Sequence, residues 1–172
     1  MEQVWLFDRL AVAVFRIDFL DPAISEQPDA RERGVRIEIK PAASTYDGSV
    51  YSSSTNLVRP AVCRIDLLES VPHAADRMHW HPTMSDGEPG DRVFDPAIGA
   101  DPIAWLTDQL THLRRLLERA GVDDPDGYAA DIAAVSAAAA EITASVAGGL
   151  AWARESPWPE VTRDERGLAA VS

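Results

Sequence analysis

The sequence predicts an α+β fold: a mostly antiparallel sheet of about four to six strands from the N-terminal half, covered on one face by a C-terminal antiparallel helical hairpin. Three observations predict it. Apolar residues recur with period two in several stretches of residues 1–96, and the period changes to 3.6 after residue 101. Two Asp-Pro pairs, at 101–102 and 124–125, each supply a helix start, and the short link between the helical stretches folds them back on each other. Residues 1–172 form a single domain in this reading, with a sheet region at 1–96, a helical hairpin at 101–150 and an extended tail at 155–172.

Val4 to Leu20 is apolar, with a break near Asp8-Arg9. From Ala11 onward, Ala11, Ala13, Phe15, Ile17 and Phe19 share one face and Val12, Val14, Arg16, Asp18 and Leu20 the other, which suits a strand covered on both sides for part of its length. Residues 21–34 have no period and read as a loop. Val35 to Lys40 alternates cleanly as a strand. Asp47-Gly48, between Thr45-Tyr46 and Ser49-Val50-Tyr51, signals a hairpin, with Pro41-Ala42-Ala43 interrupting the strand before it and Ser52 to Asn56 as a polar link after it. Ala61 to Glu69 is a further strand whose Arg64-x-Asp66 repeats the Arg16-x-Asp18 pattern, so both pairs are expected on equivalent faces. Arg77 to His81 follows as a strand, and Arg92-Val93-Phe94 as one more short one.

Asp101 caps the first helix, Ile103, Leu106, Leu110, Leu113 and Leu117 make its apolar stripe, and Gly121 ends it. Tyr128, Ile132, Val135, Ile142 and Val146 line the second helix, which Gly148-Gly149 ends or interrupts. Trp152 and Trp158 belong to the tail, where Pro157 and Pro159 exclude regular helix.

Chemistry concentrates at Arg77-Met78-His79-Trp80-His81. In an extended segment Met78 and Trp80 turn to the core, while Arg77, His79 and His81 project from the opposite, solvent-facing side. Positions i and i+2 lie about 6.6 Å apart at Cα, close enough for two imidazoles to lean onto one ion. Zinc or manganese are the metals considered, with a third ligand drawn from His73 before the strand or from Glu88, Asp86 or Asp91 after it. Asp66 is assigned to orienting an imidazole, and Arg64 or Arg77 to holding a phosphate or carboxylate. The catalytic candidates are therefore His79, His81, Asp66, Arg64 and Arg77, and the metal candidates His79, His81, His73 and Glu88. Surface ion pairs and solvated histidines are the bland alternative for the same residues.

Composition narrows the function classes. A formal net charge of -12 and a pI near 4.6 argue against non-specific DNA binding and leave RNA open. Cys63 is the single cysteine, which excludes an intramolecular disulfide and any multi-cysteine zinc site. No signal-like run opens the chain and no uninterrupted apolar stretch reaches membrane length, so a cytoplasmic location without a membrane span is expected.

His79-x-His81 with Glu88 and Gly90 is similar to the first metal motif of the cupin barrels, but the gap from His81 to Glu88 is too long and helices follow where barrel strands belong, so that likeness is set aside. The order Arg64-x-Asp66, Pro72-His73, His79-x-His81 resembles that of TumE-like toxins of bacterial toxin–antitoxin pairs, over residues 35–115, with Ile65 where those proteins carry tyrosine. That resemblance implies an α+β toxin-like protein with a neighbouring antitoxin and RNA-directed activity. Two functions follow: a small hydrolase or nuclease-like protein acting on a phosphate or ester bond, by metal assistance or histidine acid/base chemistry, or a non-enzymatic interaction domain using the polar sheet face or the Trp-containing tail. A protein partner or homo-oligomer is expected in both.

Overall fold

The computed structural model describes residues 2–20, 31–46, 54–155, 157–158, 161–163 and 169–171. The strands are β1 (Glu2–Leu6), β2 (Leu10–Leu20), β3 (Arg31–Tyr46), β4 (Ser54–Val58), β5 (Cys63–Glu69) and β6 (His79–His81), joined antiparallel in the order β1-β2-β3-β5-β6, with β4 pairing the far end of β3. Two small ribbons complete the β structure, one of β7 (Met84–Ser85) with β8 (Glu88–Pro89), the other of β9 (Val161–Arg163) with β10 (Ala169–Val171). The helices are α1 (Pro96–Ala100), α2 (Pro102–Thr111), α3 (Leu113–Arg119) and α4 (Ala129–Arg154), and they cover one sheet face.

Alternation decides which side chains meet the helices. Val12 and Val14 of β2, Val35, Ile37 and Ile39 of β3, Cys63, Ile65 and Leu67 of β5 and Trp80 of β6 lie together in the core with Leu106, Leu110, Leu113, Leu117, Val135, Ile142 and Val146 of the helices. The expected α+β architecture is what the chain adopts, and the helical stripes read from the sequence face the core, with Ile103, Tyr128 and Ile132 only partly buried.

Several elements differ from expectation for definite reasons. β3 begins at Arg31 rather than after residue 34 and runs through Pro41, because Pro41 sits where the strand changes partners. Leu10 is opposite Pro41 at the end of the β2 ladder, and the β4 ladder begins at Ala42 opposite Val58. A missing N–H is tolerated at such a handover. The strand returning to β3 is Ser54–Val58 and includes part of the expected polar link, while the Asp47-Gly48 turn and Ser49 to Tyr51 lie outside the described residues. Arg16 and Asp18 face the helices, whereas Arg64 and Asp66 face away. The ladders set Asp18 opposite Arg33 and Arg16 opposite Val35, and Val35 opposite the core residue Leu67, so the two Arg-x-Asp pairs emerge from opposite sides. Asp18 is held by Arg31 at 2.7 Å, and Arg16 and Arg33 stack on Trp152.

The first helix of the expected hairpin is broken at His112 (φ -114°, ψ 35°) into α2 and α3. Gly121, at φ 73°, closes α3 in a Schellman turn, its N–H donating to Glu118 and that of Val122 to Leu117. The second helix does not stop at Gly148-Gly149. A Cβ at Gly149 would lie 2.5 Å from Val35 Cγ2, so this glycine lets the helix approach β3 rather than ending it. At the other end of α4, buried Asp131 accepts the backbone N–H groups of Arg9 and Leu10 and ties the β1–β2 turn to the helix. The stretch Pro125–Arg154 is long and apolar enough by length and composition to cross a membrane, although Val135, Ala139, Ile142, Val146 and Leu150 spend one of its faces in the core.

Candidate metal centre

The polar face of the sheet carries the site. Across the ladders Arg36 lies opposite Asp66, which lies opposite His79, and Glu38 lies opposite Arg64, which lies opposite His81. These two transverse rows point away from the helices because Ile37, Ile65 and Trp80, one position out of phase, are in the core. β6 is short, yet it is clamped on both sides: β5 on one, and on the other Val93, which exchanges both backbone hydrogen bonds with Trp80. That bridge is the expected strand at 92–94 reduced to one residue. It folds the 82–94 segment over the histidines, with the Phe94 ring centroid 5.5 Å from that of His79.

The imidazoles are consequently buried, not solvent-facing as the alternation alone implied. Asp66, His79 and His81 are 1%, 3% and 2% exposed. Their rings are side by side, with centroids 5.0 Å apart and nearly perpendicular planes.

Hydrogen bonding determines how the rings are presented. His79 Nδ1 is 2.8 Å from the carbonyl of Arg77, and His81 Nδ1 is 2.8 Å from the carbonyl of Gly90. A carbonyl can only accept, so each Nδ1 carries hydrogen and donates, which leaves the Nε2 lone pair of each neutral ring available. His79 Nε2 is 3.6 Å and His81 Nε2 3.9 Å from the same atom, Asp66 Oδ2. One ligand atom from each of the three residues lies within 4.8 Å of the others. Ligand bonds of about 2.1 Å in tetrahedral geometry separate ligand atoms by about 3.4 Å, so modest closure of this triangle suffices to hold a divalent ion. Pinning the far nitrogen of a ligating histidine to a carbonyl is how such rings are usually oriented.

Charge around the triad is unusual for so acidic a chain. Arg36 Nε is 2.7 Å from Asp66 Oδ1, and Arg64 Nε is 2.9 Å from Asp66 Oδ2. Arg64 also places Nη2 3.3 Å from His81 Nε2. Both histidines are held below the ordinary imidazole value, first because burial disfavours the charged ring; Arg92 opposes the proton on each, and Arg64 does so on His81. Cys63, on the helix side, has its thiol pushed up to about 12 by burial, and takes no part.

The structure thus brings together His79, His81, Asp66 and Arg64. Asp66 stands as the third candidate ligand, while the backbone, not Asp66, orients the rings. Arg77 contributes its carbonyl; its guanidinium turns instead toward Glu32, 3.5 Å away. His73 is exposed in a left-handed conformation (φ 67°), donates its backbone N–H to Glu69 and lines a separate groove with Asp101 and Arg154, outside the triad. Glu88 is exposed in the β7–β8 ribbon and is not part of the triad either. The turn of that ribbon, Asp86-Gly87 with φ 51° and 88°, carries the same Asp-Gly signal as residues 47–48. Arg36 joins the site as well; alternation along β3 puts it on the polar face, but only the β3–β5 register sets it against Asp66.

No family model matches the chain, no curated protein matches it, and no solved structure matches it.

Proposed function

We propose that this protein is a metal-assisted hydrolase in which Asp66, His79 and His81 hold a divalent ion such as zinc or manganese and which acts on a phosphate or ester bond. One observation carries the reading: three buried electron-pair donors from neighbouring strands converge on one point, with both far imidazole nitrogens already committed to carbonyls. Two histidines and one carboxylate leave coordination positions open for water and substrate. When bound, such an ion supplies a nucleophilic water near neutral pH and polarises the scissile group.

The chain's own residues do the rest. Gly90 and Arg77 carbonyls hold the rings, Arg36 holds the carboxylate, and the 82–94 segment keeps bulk water off the imidazoles. Metal-free acid/base catalysis needs one ring protonated as the other is neutral, and burial works against the protonated ring at both positions. An interaction role for the Trp-containing tail loses its motive, since Trp152 belongs to α4 rather than to the tail and stacks on Arg16 and Arg33, while Trp158 donates its indole N–H to the Ala153 carbonyl and lies over Arg31. The partner implied by the toxin-like motif order is a proposal that co-purification with the product of an adjacent gene tests.

The deciding experiment is metal analysis of freshly purified protein beside H79A/H81A. Stoichiometric metal in the parent and none in a still-folded variant supports the reading; a parent that neither carries nor takes up zinc or manganese overturns it.

A further inference from the structure

We infer that the substrate class at this centre is a dianionic phosphate ester and that Arg64 is the residue coupling metal to phosphate, an inference that rests on the metal reading above. The buried Asp66 carboxylate lies between two partly exposed guanidiniums, Arg36 and Arg64, so this cluster carries one net positive charge beside the two rings. Glu38 on the adjoining row does not offset it, being engaged by Lys40 at 2.6 Å. A divalent ion raises the local charge to three positive. Excess charge in a desolvated site is expensive unless a counter-charge enters with it. A phosphate dianion supplies two negative charges and oxygens that accept paired guanidinium hydrogen bonds, which a carboxylic ester does not.

Geometry identifies the coupling residue. Arg64 Nε faces Asp66 Oδ2, and its Nη2 faces His81 Nε2, two of the three electron pairs that the ion requires. Guanidinium and metal therefore compete. An entering ion displaces the fork from those two atoms, and the displaced fork, still anchored on β5 beside the site, becomes a donor for an oxyanion bound next to the ion. Metal and phosphate then bind with positive coupling, each raising the affinity of the other by the same factor.

The test is a Co²⁺ titration of the full chain, followed by visible absorption, with and without inorganic phosphate, for the parent and Arg64→Gln. Phosphate is expected to tighten cobalt binding by the parent about tenfold. Arg64→Gln, freed of its internal competitor, is expected to bind cobalt more tightly than the parent without phosphate and to lose most of the phosphate effect. If phosphate leaves the parent's cobalt affinity unchanged, or if a folded Arg64→Gln keeps the whole enhancement, the inference fails while the metal centre stands. If the parent binds no cobalt under either condition, both fail. The parent titrations decide the coupling even where the variant does not fold.

Discussion

Asp66 and His79 face each other across the β5–β6 ladder, with Asp66 Oδ2 3.6 Å from His79 Nε2, too far for a hydrogen bond. Two lone pairs held in opposition are stabilised by a cation, and within this cluster Arg64 supplies one. The carboxylate therefore serves twice, as a counter-ion to Arg36 and Arg64 and as a candidate ligand.

Asp66→Asn separates those roles. Removing the one negative charge among two buried-side guanidiniums should cost about 3 kcal/mol of folding stability, as for other broken buried ion pairs, measured by urea unfolding. Metal uptake should fall by at least tenfold in the same protein. A variant as stable as the parent would show that Arg36 and Arg64 are not held by this carboxylate.

Stability should decline on the acid side of neutrality. The folded-state values of His79 and His81 lie below the ordinary 6.5, so below that pH the unfolded chain binds protons that the folded chain refuses. Their contribution is complete above pH 6.5 and is lost as pH falls from there toward the depressed folded values. Unfolding free energies of metal-free protein between about pH 8 and about pH 5, on either side of the imidazole value, should show this slope, and H79Q/H81Q should flatten it.

Adjacent glycines of α4 should respond in opposite directions. Gly149→Ala drives a methyl into Val35 and should destabilise by about 1–3 kcal/mol. Gly148→Ala meets nothing within 4 Å and should stabilise by up to about 1 kcal/mol through helix propensity. Equal effects in chemical denaturation would mean that α4 does not seat on β3 at Gly149.

Glu69 provides a control for the site. Fully buried on the helix side, it accepts Arg154 at 2.6 Å and the His73 backbone N–H at 2.8 Å. Glu69→Gln should lower the melting temperature while leaving metal stoichiometry and affinity unchanged, because it shares no partner with Asp66.

Periodicity along the chain is enough to give the sheet, the helical cover and, within each strand, which residues share a face. Alternation alone put Arg64, Asp66, Arg77, His79 and His81 on one side and Met78 and Trp80 on the other, since side-chain direction along a strand is a local property. It also supplied the caps at Asp101 and Asp124, whose carboxylates accept from Ala104 and Gly127. Tertiary structure decided everything that depends on which strands are neighbours and what folds over them. The register set Asp66 rather than His73 or Glu88 against the histidines, and turned Arg16-x-Asp18 toward the helices. The Trp80–Val93 bridge covered a face that local pattern leaves in solvent, and contact with Val35 made Gly149 an internal helix position. Pairing partners and coverage are relations between segments distant in the chain, and no local period encodes them.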